Sequence, residues 1–267
     1  MTGGEQTPDG EQTSGGEQTP GGDGGQLPGG VMVADLEAMA GAHNYRHWMY
    51  RRMEPFIGQR ILEVGAGIGN FTELLLDREL VVASDKYEMC VDYLRRRLGA
   101  RLKDAPVRMD LAAPPARALH GYGFDTVICI NVLEHVEDDA KALSFMHSVL
   151  APGGRLILLV PAFGFLYGTI DRAIEHHRRY TRKDLLPRVR EAGFGVEAAF
   201  YMNVIGMAGW FWNNRVRKIK EENPAQIKIF DRLIAPWAER LERSLPPPFG
   251  LSLIAVGRKQ EGSTTHG

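Results

Sequence analysis

With 267 residues, 44% of them hydrophobic, the chain can bury a sizeable core as one large domain or two small ones. A formal net charge of −1 excludes the strongly basic balance of a nucleic-acid binder, although five acids and no Lys or Arg in residues 1–30 leave the remainder mildly basic. Cys90 and Cys129 lack metal-ligand spacing and fit free thiols of a reducing compartment; without a leader pattern or an apolar run of about 18 residues, a cytoplasmic protein is expected.

Residues 1–30 repeat G-E-Q-T from Gly4, Gly10 and Gly16. They have too little to bury against their backbone entropy, so an acidic disordered tail is predicted. Over residues 31–58 apolar and aromatic residues recur at helical spacing, with Tyr45, Trp48, Met49 and Met53 to one side and Arg46, Arg51 and Arg52 mostly to the other. One or two amphipathic helices are expected there. Arg60–Thr72 then reads R-I-L-E-V-G-A-G-I-G-N-F-T. Ile61, Leu62 and Val64 suit a strand buried on both faces, and it breaks into Gly65, Gly67 and Gly69, which permit positive φ and close approach of a ligand to the backbone. The spacing is not the G-x-G-x-x-G of a dinucleotide site, and Glu63 would repel phosphate while suiting an ammonium group. The implied ligand is a cation carrying a nucleoside without phosphates; a purely structural turn is the alternative.

Asn70–Leu76 is predicted as the first crossover helix, followed by a second buried strand, Leu80–Ser84, ending at Asp85. That carboxylate lies where ribose hydroxyls are held in open α/β sheets, though an isolated Asp there would serve as a helix N-cap. A helix over Val91–Leu98, a third strand around Val107–Met109, a loop or short helix over Ala112–Leu119 and a fourth strand, Phe124–Ile130, follow. Asn131 then points into the crevice past the strand ends. A helix over Ala140–Leu150, stopped by A-P-G-G, leads to a fifth strand, Arg155–Val160. Such alternation implies an α/β, doubly wound, mostly parallel sheet. Thr181–Ala192 reads as a helix with a T-R-K-D capping box, Val196–Tyr201 as strand six and Leu251–Val256 as the last strand; residues 259–267 are a polar tail.

With E-V-G-A-G-I-G-N at the first loop and L-E-H at Leu133–His135, the chain resembles the class I S-adenosylmethionine-dependent methyltransferases. The resemblance implies a Rossmann-like seven-stranded sheet with an antiparallel last strand. Its methyltransferase core would be residues 59–201 and 251–258, with the insertion 202–250 rising as a lid. It also implies S-adenosyl-L-methionine as cofactor, held by Glu63, Gly65, Gly67, Gly69, Asp85 and Asn131, with Asp110 and Leu111 beside the adenine. Asn44–Trp48, N-Y-R-H-W, resembles the lid helix of one subgroup, in which Tyr45 would close over the cofactor; a core-facing aromatic is the alternative. His135 reads as a polar contact to the cofactor or as a structural histidine.

Phe163–Tyr180 crowds polar, aromatic and basic groups where a substrate loop would sit. Its Y-G-x-x-D-x-x-x-x-H-H-R-R-Y-T arrangement resembles a bacterial methyltransferase subgroup often found alongside glycosyltransferases, which has glycine where this chain has Glu175. If the acceptor is a hydroxyl, a base must take its proton: His176 is favoured, with Asp171 as an orienting or alternative base and His177 as a second candidate. Tyr167 and Tyr180 would shape the acceptor site, and Arg178 and Arg179 would pair with an anionic group on it. A surface salt-bridge cluster is the alternative. The expected function is O-methylation of a sugar, glycan or other secondary metabolite without a metal. N-methylation of a small molecule or peptide, or cofactor binding without turnover, are the other readings. Nucleic acid is disfavoured as a partner, and a nicotinamide cofactor is disfavoured by the glycine spacing. Trp210, Phe211 and Trp212 beside Arg215, Arg217 and Lys218 suit core, a homodimer interface or peripheral contact with a membrane.

Overall fold

The computed structural model describes residues 39–113, 119–219 and 224–260, with Met1 and Leu36. The predicted tail over residues 1–30, most of the stretch before residue 39, the loop around Pro114 and Pro115 and residues 261–267 lie outside the described residues.

Seven strands, β1 (Arg60–Val64), β2 (Leu80–Asp85), β3 (Val107–Arg108), β4 (Phe124–Ile130), β5 (Leu150–Pro161), β6 (Phe194–Met202) and β7 (Ser252–Lys259), form one sheet in the order β3-β2-β1-β4-β5-β7-β6. The first five pair in parallel, and β7 runs antiparallel to both β5 and β6. The unbroken apolar runs read in the sequence follow from cores on both faces of this sheet. Leu62, Val64, Val127, Cys129, Leu156 and Leu158 pack to one side. Their neighbours Ile61, Ile128, Ile157 and Leu159 pack to the other, with Trp48 and Met53. A strand alternates its side chains, so only residues buried in both directions can be apolar throughout.

Eight α-helices are described: α1 (His43–Met53), α2 (Glu88–Leu98), α3 (Asp139–Val149), α4 (Thr169–Ala173), α5 (Arg182–Glu191), α6 (Val204–Phe211), α7 (Pro224–Ile229) and α8 (Ala235–Ser244). The expected capping box of α5 is present, with Asp184 accepting from the Thr181 backbone N–H at 3.0 Å. Two expectations need correction. Asn70–Leu76 is not an α-helix but contains a 3-10 turn at Thr72–Leu75. Phe71 and Leu75 bury at once beside Trp48 and Met53, and β2 begins at Leu80, which leaves no length for a longer helix. The fifth strand starts at Leu150 rather than Arg155, because Leu150 already pairs with Phe124 before a register shift.

Residues between β6 and β7 form a helical layer of α6, a π-helical turn (Trp212–Val216), α7, a second π-helical turn (Phe230–Ile234) and α8. Buried acids tie this layer down. Asp231 accepts from the Tyr45 backbone N–H at 2.8 Å, in the first turn of α1, and from the Asn44 side chain at 3.2 Å. Glu242 accepts from the Asn203 and Val204 backbone N–H groups at 3.0 and 2.8 Å, where α6 begins. The first turn of a helix leaves N–H groups unpaired, and a carboxylate there satisfies them while complementing the helix dipole.

Candidate active site

A cavity of about 1360 Å³ opens where the parallel strands end. Glu63 and Val64 reach it from β1, Asp85 from β2, Ile130 from β4 and Pro161 from β5, and the helical layer roofs it with Asn203, Gly206, Trp210, Asn213 and Phe230. Carboxyl ends of parallel strands are where open α/β sheets place ligands, since neighbouring crossovers leave opposite faces of the sheet there.

On the side toward β1 and β2, Gly65 and Gly67 hold positive φ of 71° and 56°. Gly65 is required by packing as well, because a Cβ would sit 2.1 Å from Val132 Cγ2. Asp85 organises the loop: its Oδ2 accepts from the Gly67 backbone N–H at 2.8 Å and its Oδ1 from the Tyr87 backbone N–H at 3.0 Å. The Cys90 thiol and the Lys86 backbone N–H also act on this carboxylate, so a hydroxyl in the cavity would share it with donors of the fold. Burial raises its pKa, against hydrogen bonds from Tyr87, Gly67, Cys90 and Lys86. Glu63 is buried with its Oε2 unpaired, and burial pushes its pKa up to about 7. An ammonium group beside it would relieve both conditions. Tyr45, Asp110, Leu111 and Asn131 also line the cavity. Tyr45 packs edge-on against Trp48 and Phe230, at ring distances of 5.9 and 6.2 Å. Asp110 accepts from the Ala112 backbone N–H at 2.9 Å, and Asn131 takes a φ of 51°. Gly69 does not line the cavity. At φ 84° it turns the chain against α2, where a Cβ would meet Leu98 Cδ1 at 2.7 Å and Leu94 Cδ2 at 2.8 Å.

On the opposite side the loop after β5 folds around Asp171. This carboxylate accepts from His176 Nδ1 at 3.1 Å, Arg179 Nε at 2.6 Å, the Gly168 backbone N–H at 2.9 Å and Asn214 Nδ2 at 2.8 Å. Burial alone would raise its pKa, but the His176 bond and the Arg179 charge outweigh it and hold the carboxyl well below the usual range. With Nδ1–H given to Asp171, His176 presents the lone pair of Nε2, and burial lowers its pKa against the pull of Asp171. The imidazole is therefore neutral near pH 7 and lines the cavity, as do His177 and Tyr167, whose hydroxyl donates to the His176 carbonyl at 2.8 Å.

Three of the expected acceptor-side groups have structural partners. Arg178 donates to Asp139 Oδ2 at 3.0 Å and to the Glu137 carbonyl at 2.7 Å, and it lies outside the cavity lining. Tyr180 is buried with its hydroxyl on Asp139 Oδ2 at 3.0 Å. Arg179 lines the cavity, but its guanidinium is committed to Asp171, to the Ala162 carbonyl and to the Trp210 ring, 4.8 Å away. Pairing inside the fold outcompetes a surface role wherever an acid or carbonyl is already within reach.

Sequence reasoning missed Glu134 and Asn214. Glu134 is wholly buried, with both carboxylate oxygens unpaired, and burial pushes its pKa up to about 8, so it stays a neutral acid near pH 7. Its Oε1 lies 3.7 Å from His176 Nε2. His135 stands edge-on to His176 at 4.5 Å, and burial lowers its pKa to about 4. Glu134, His135 and His176 each bring a ligand atom within 4.8 Å of the others, a spacing that suits proton sharing or a divalent cation. The L-E-H triplet was the available signal for this cluster. Asn214 had none, since its partner lies 43 residues earlier.

Residues 62–156 match the family model of the methyltransferase domain. A demethylmenaquinone methyltransferase of Deinococcus radiodurans is 31% identical over 137 residues, covering 49% of this chain and 53% of that protein. A ubiquinone biosynthesis O-methyltransferase of Xanthomonas axonopodis pv. citri is 28% identical over 194 residues, covering 62% and 72%. The chain spans about half the length, or much less, of the first curated relatives it matches. Among solved structures, an S-adenosylmethionine-dependent methyltransferase of Thermotoga maritima superposes with a TM-score of 0.58 at 15% identity, covering 86% of this chain and 97% of that one. Residues 62–156 thus resemble a methyltransferase domain, and the seven-stranded sheet around them shares its fold with the solved methyltransferase structure.

Proposed function

We propose that the protein is an S-adenosylmethionine-dependent methyltransferase that methylates an oxygen of a sugar, glycan or other secondary metabolite. The observation that carries this reading is that His176, with its Nδ1–H on Asp171, faces the same cavity as the glycine loop and Asp85. Glu63, Asp85 and the N–H groups of the loop fit the donor: a buried carboxylate with one oxygen unpaired for its ammonium group, and a second carboxylate at the cavity for its ribose. When bound, the sulfonium supplies an activated methyl group, so the protein's task is alignment and exclusion of water. Asp171 fixes the ring orientation and tautomer of His176, whose Nε2 would take the acceptor's hydroxyl proton, while the bound donor would give up its methyl group to the acceptor oxygen and keep the electron pair of the broken carbon–sulfur bond. Trp210 and Phe230 cover the cavity from the helical layer, where they would limit access of water. The exposed side of His177 and the tyrosine ring of Tyr167 border the acceptor's approach.

Incubation of the purified protein with methyl-labelled donor and a panel of hydroxylated acceptors tests the reading. Label transferred to oxygen is the expected result. Transfer to nitrogen would replace the acceptor half, and donor binding with no transfer to any acceptor would reduce the protein to a cofactor binder.

A further inference from the structure

The helical run from Pro224 to Ser244 is amphipathic in an inverted sense. Its inward face buries Asp231, Ala235, Ala238 and Glu242 and turns Phe230 and Ile234 to the cavity. At every fourth position facing out stand Ile229, Leu233, Trp237, Leu241 and Leu245, which are 56–71% exposed. Residues four apart share a helix face, so Ile229, Leu233, Trp237 and Leu241 form one apolar stripe, and Leu245 follows just past the helix end. Phe211, Trp212, Val216 and Phe249 add exposed apolar surface on the same insertion. Soluble monomers rarely leave contiguous apolar surface of this kind uncovered.

Charge is sorted across the same layer. Its described acids all point inward or are paired: Asp231 serves α1, Glu242 serves α6, and Glu239 is bound by Arg51. The basic residues are out in solvent: Lys228, Arg232, Arg240 and Arg243 flank the stripe, and Arg215 and Arg217 follow Trp212. Arg240 lies over the Trp237 ring, 5.5 Å from its centre.

We propose that this face seats the protein on the surface of an anionic lipid bilayer, with the stripe at the boundary of headgroups and acyl chains and the basic side chains on lipid phosphates. Apolar burial alone would equally suit a second copy of the chain. A two-fold interface, however, would press this basic face against itself, with no described acid of the layer free to answer it. The docked face adjoins the cavity, because Ile205 and Trp212 both line the cavity and belong to the exposed surface. An acceptor carried on an apolar anchor in the bilayer would therefore meet the cavity mouth. That last step rests on the methyl-transfer reading; the docking itself does not.

Co-sedimentation of the full chain with vesicles of phosphatidylcholine alone, or of equal parts phosphatidylcholine and phosphatidylglycerol, tests the proposal. The protein should pellet with the anionic vesicles about tenfold more strongly than with the neutral ones, and molar salt should release much of it. The double variant Trp237→Ser, Leu241→Ser should stay in the supernatant, as should Arg232→Glu, Arg240→Glu. Both should keep the wild-type melting temperature and S-adenosylmethionine affinity, since these side chains lie outside the core and the cavity. A wild-type chain that ignores anionic vesicles overturns the proposal. So does a wild-type dimer in light scattering that Trp237→Ser, Leu241→Ser dissolves, which would assign the face to a second copy. Donor binding measured on the same samples separates the two readings: intact binding without vesicle association sinks only the docking, and vesicle association without donor binding sinks only the methyl-transfer reading.

Discussion

The two walls of the cavity are built by different means. Toward β1 and β2 the wall is mostly backbone: glycines at positive φ, N–H groups and two carboxylates, one of which holds the loop itself. Toward the loop after β5 it is a side-chain network around one buried carboxylate with four donors drawn from 168 to 214. A backbone-built site tolerates change in its neighbours, because its geometry comes from a few local dihedral angles. A network shared between distant segments fails as a unit, since each partner leaves another buried and unsatisfied.

The sharpest break in this comparison is His176→Ala. Turnover should fall by about 10²–10⁴-fold while donor affinity in calorimetry stays unchanged. Wild-type turnover in this variant would return the histidine to a structural role. Asp171→Ala comes next. It leaves Arg179 buried without its carboxylate, at a cost of about 3–5 kcal/mol in chemical denaturation. An ordinary surface-sized loss would mean that solvent reaches the network. Asp85→Ala should be milder, weakening the donor by about 1–3 kcal/mol through lost charge-assisted hydrogen bonds. Unchanged affinity would remove the ribose role.

A smaller effect concerns pH. Glu63 and Glu134 have folded-state pKa values of about 7 and about 8, raised by burial above the ordinary 4.5. Their contribution to stability is present below the unfolded value and is lost as the pH rises through the folded ones. His135 and His176, whose folded values are lowered by burial, act in the opposite sense only below about pH 6.5. The donor-free protein should therefore lose several degrees of melting temperature, on the order of 5 °C, between pH 6.5 and 9. Glu134→Gln should remove most of that slope and Glu63→Gln a smaller part, and bound S-adenosylmethionine should restore the share due to Glu63. A profile that is flat in the wild type would show that both carboxylates are solvated. The smallest expected effect is that of chelation: turnover should survive removal of divalent cations. Activity lost to chelator and regained with one metal would turn His176 from a base into a ligand, alongside Glu134 and His135.

The wall built on backbone was the part legible in the sequence. Glycines after an apolar run, and an acid at the end of the next strand, act over a few residues, so pattern alone placed Glu63, Gly65, Gly67 and Asp85 at the cavity. Gly69 belonged to the same pattern yet packs on α2, because the third glycine answers to Leu94 and Leu98 rather than to a ligand. The network wall was legible only as a crowd of polar residues. Arg178 and Tyr180 looked available for an acceptor, but Asp139 had taken both.

Chain order, strand periodicity and glycine spacing by themselves determined the mostly parallel sheet and the loop that faces the proposed donor, because each depends on residues close in sequence; the antiparallel end followed only from the family resemblance. Only the tertiary structure decided which charges are free, which carboxylates are neutral and which face of the insertion is wet. Those properties depend on burial and on partners up to 188 residues away, as Arg51 and Glu239 are. The free energy of a charge is set by what surrounds it in space, and a linear pattern does not carry that information.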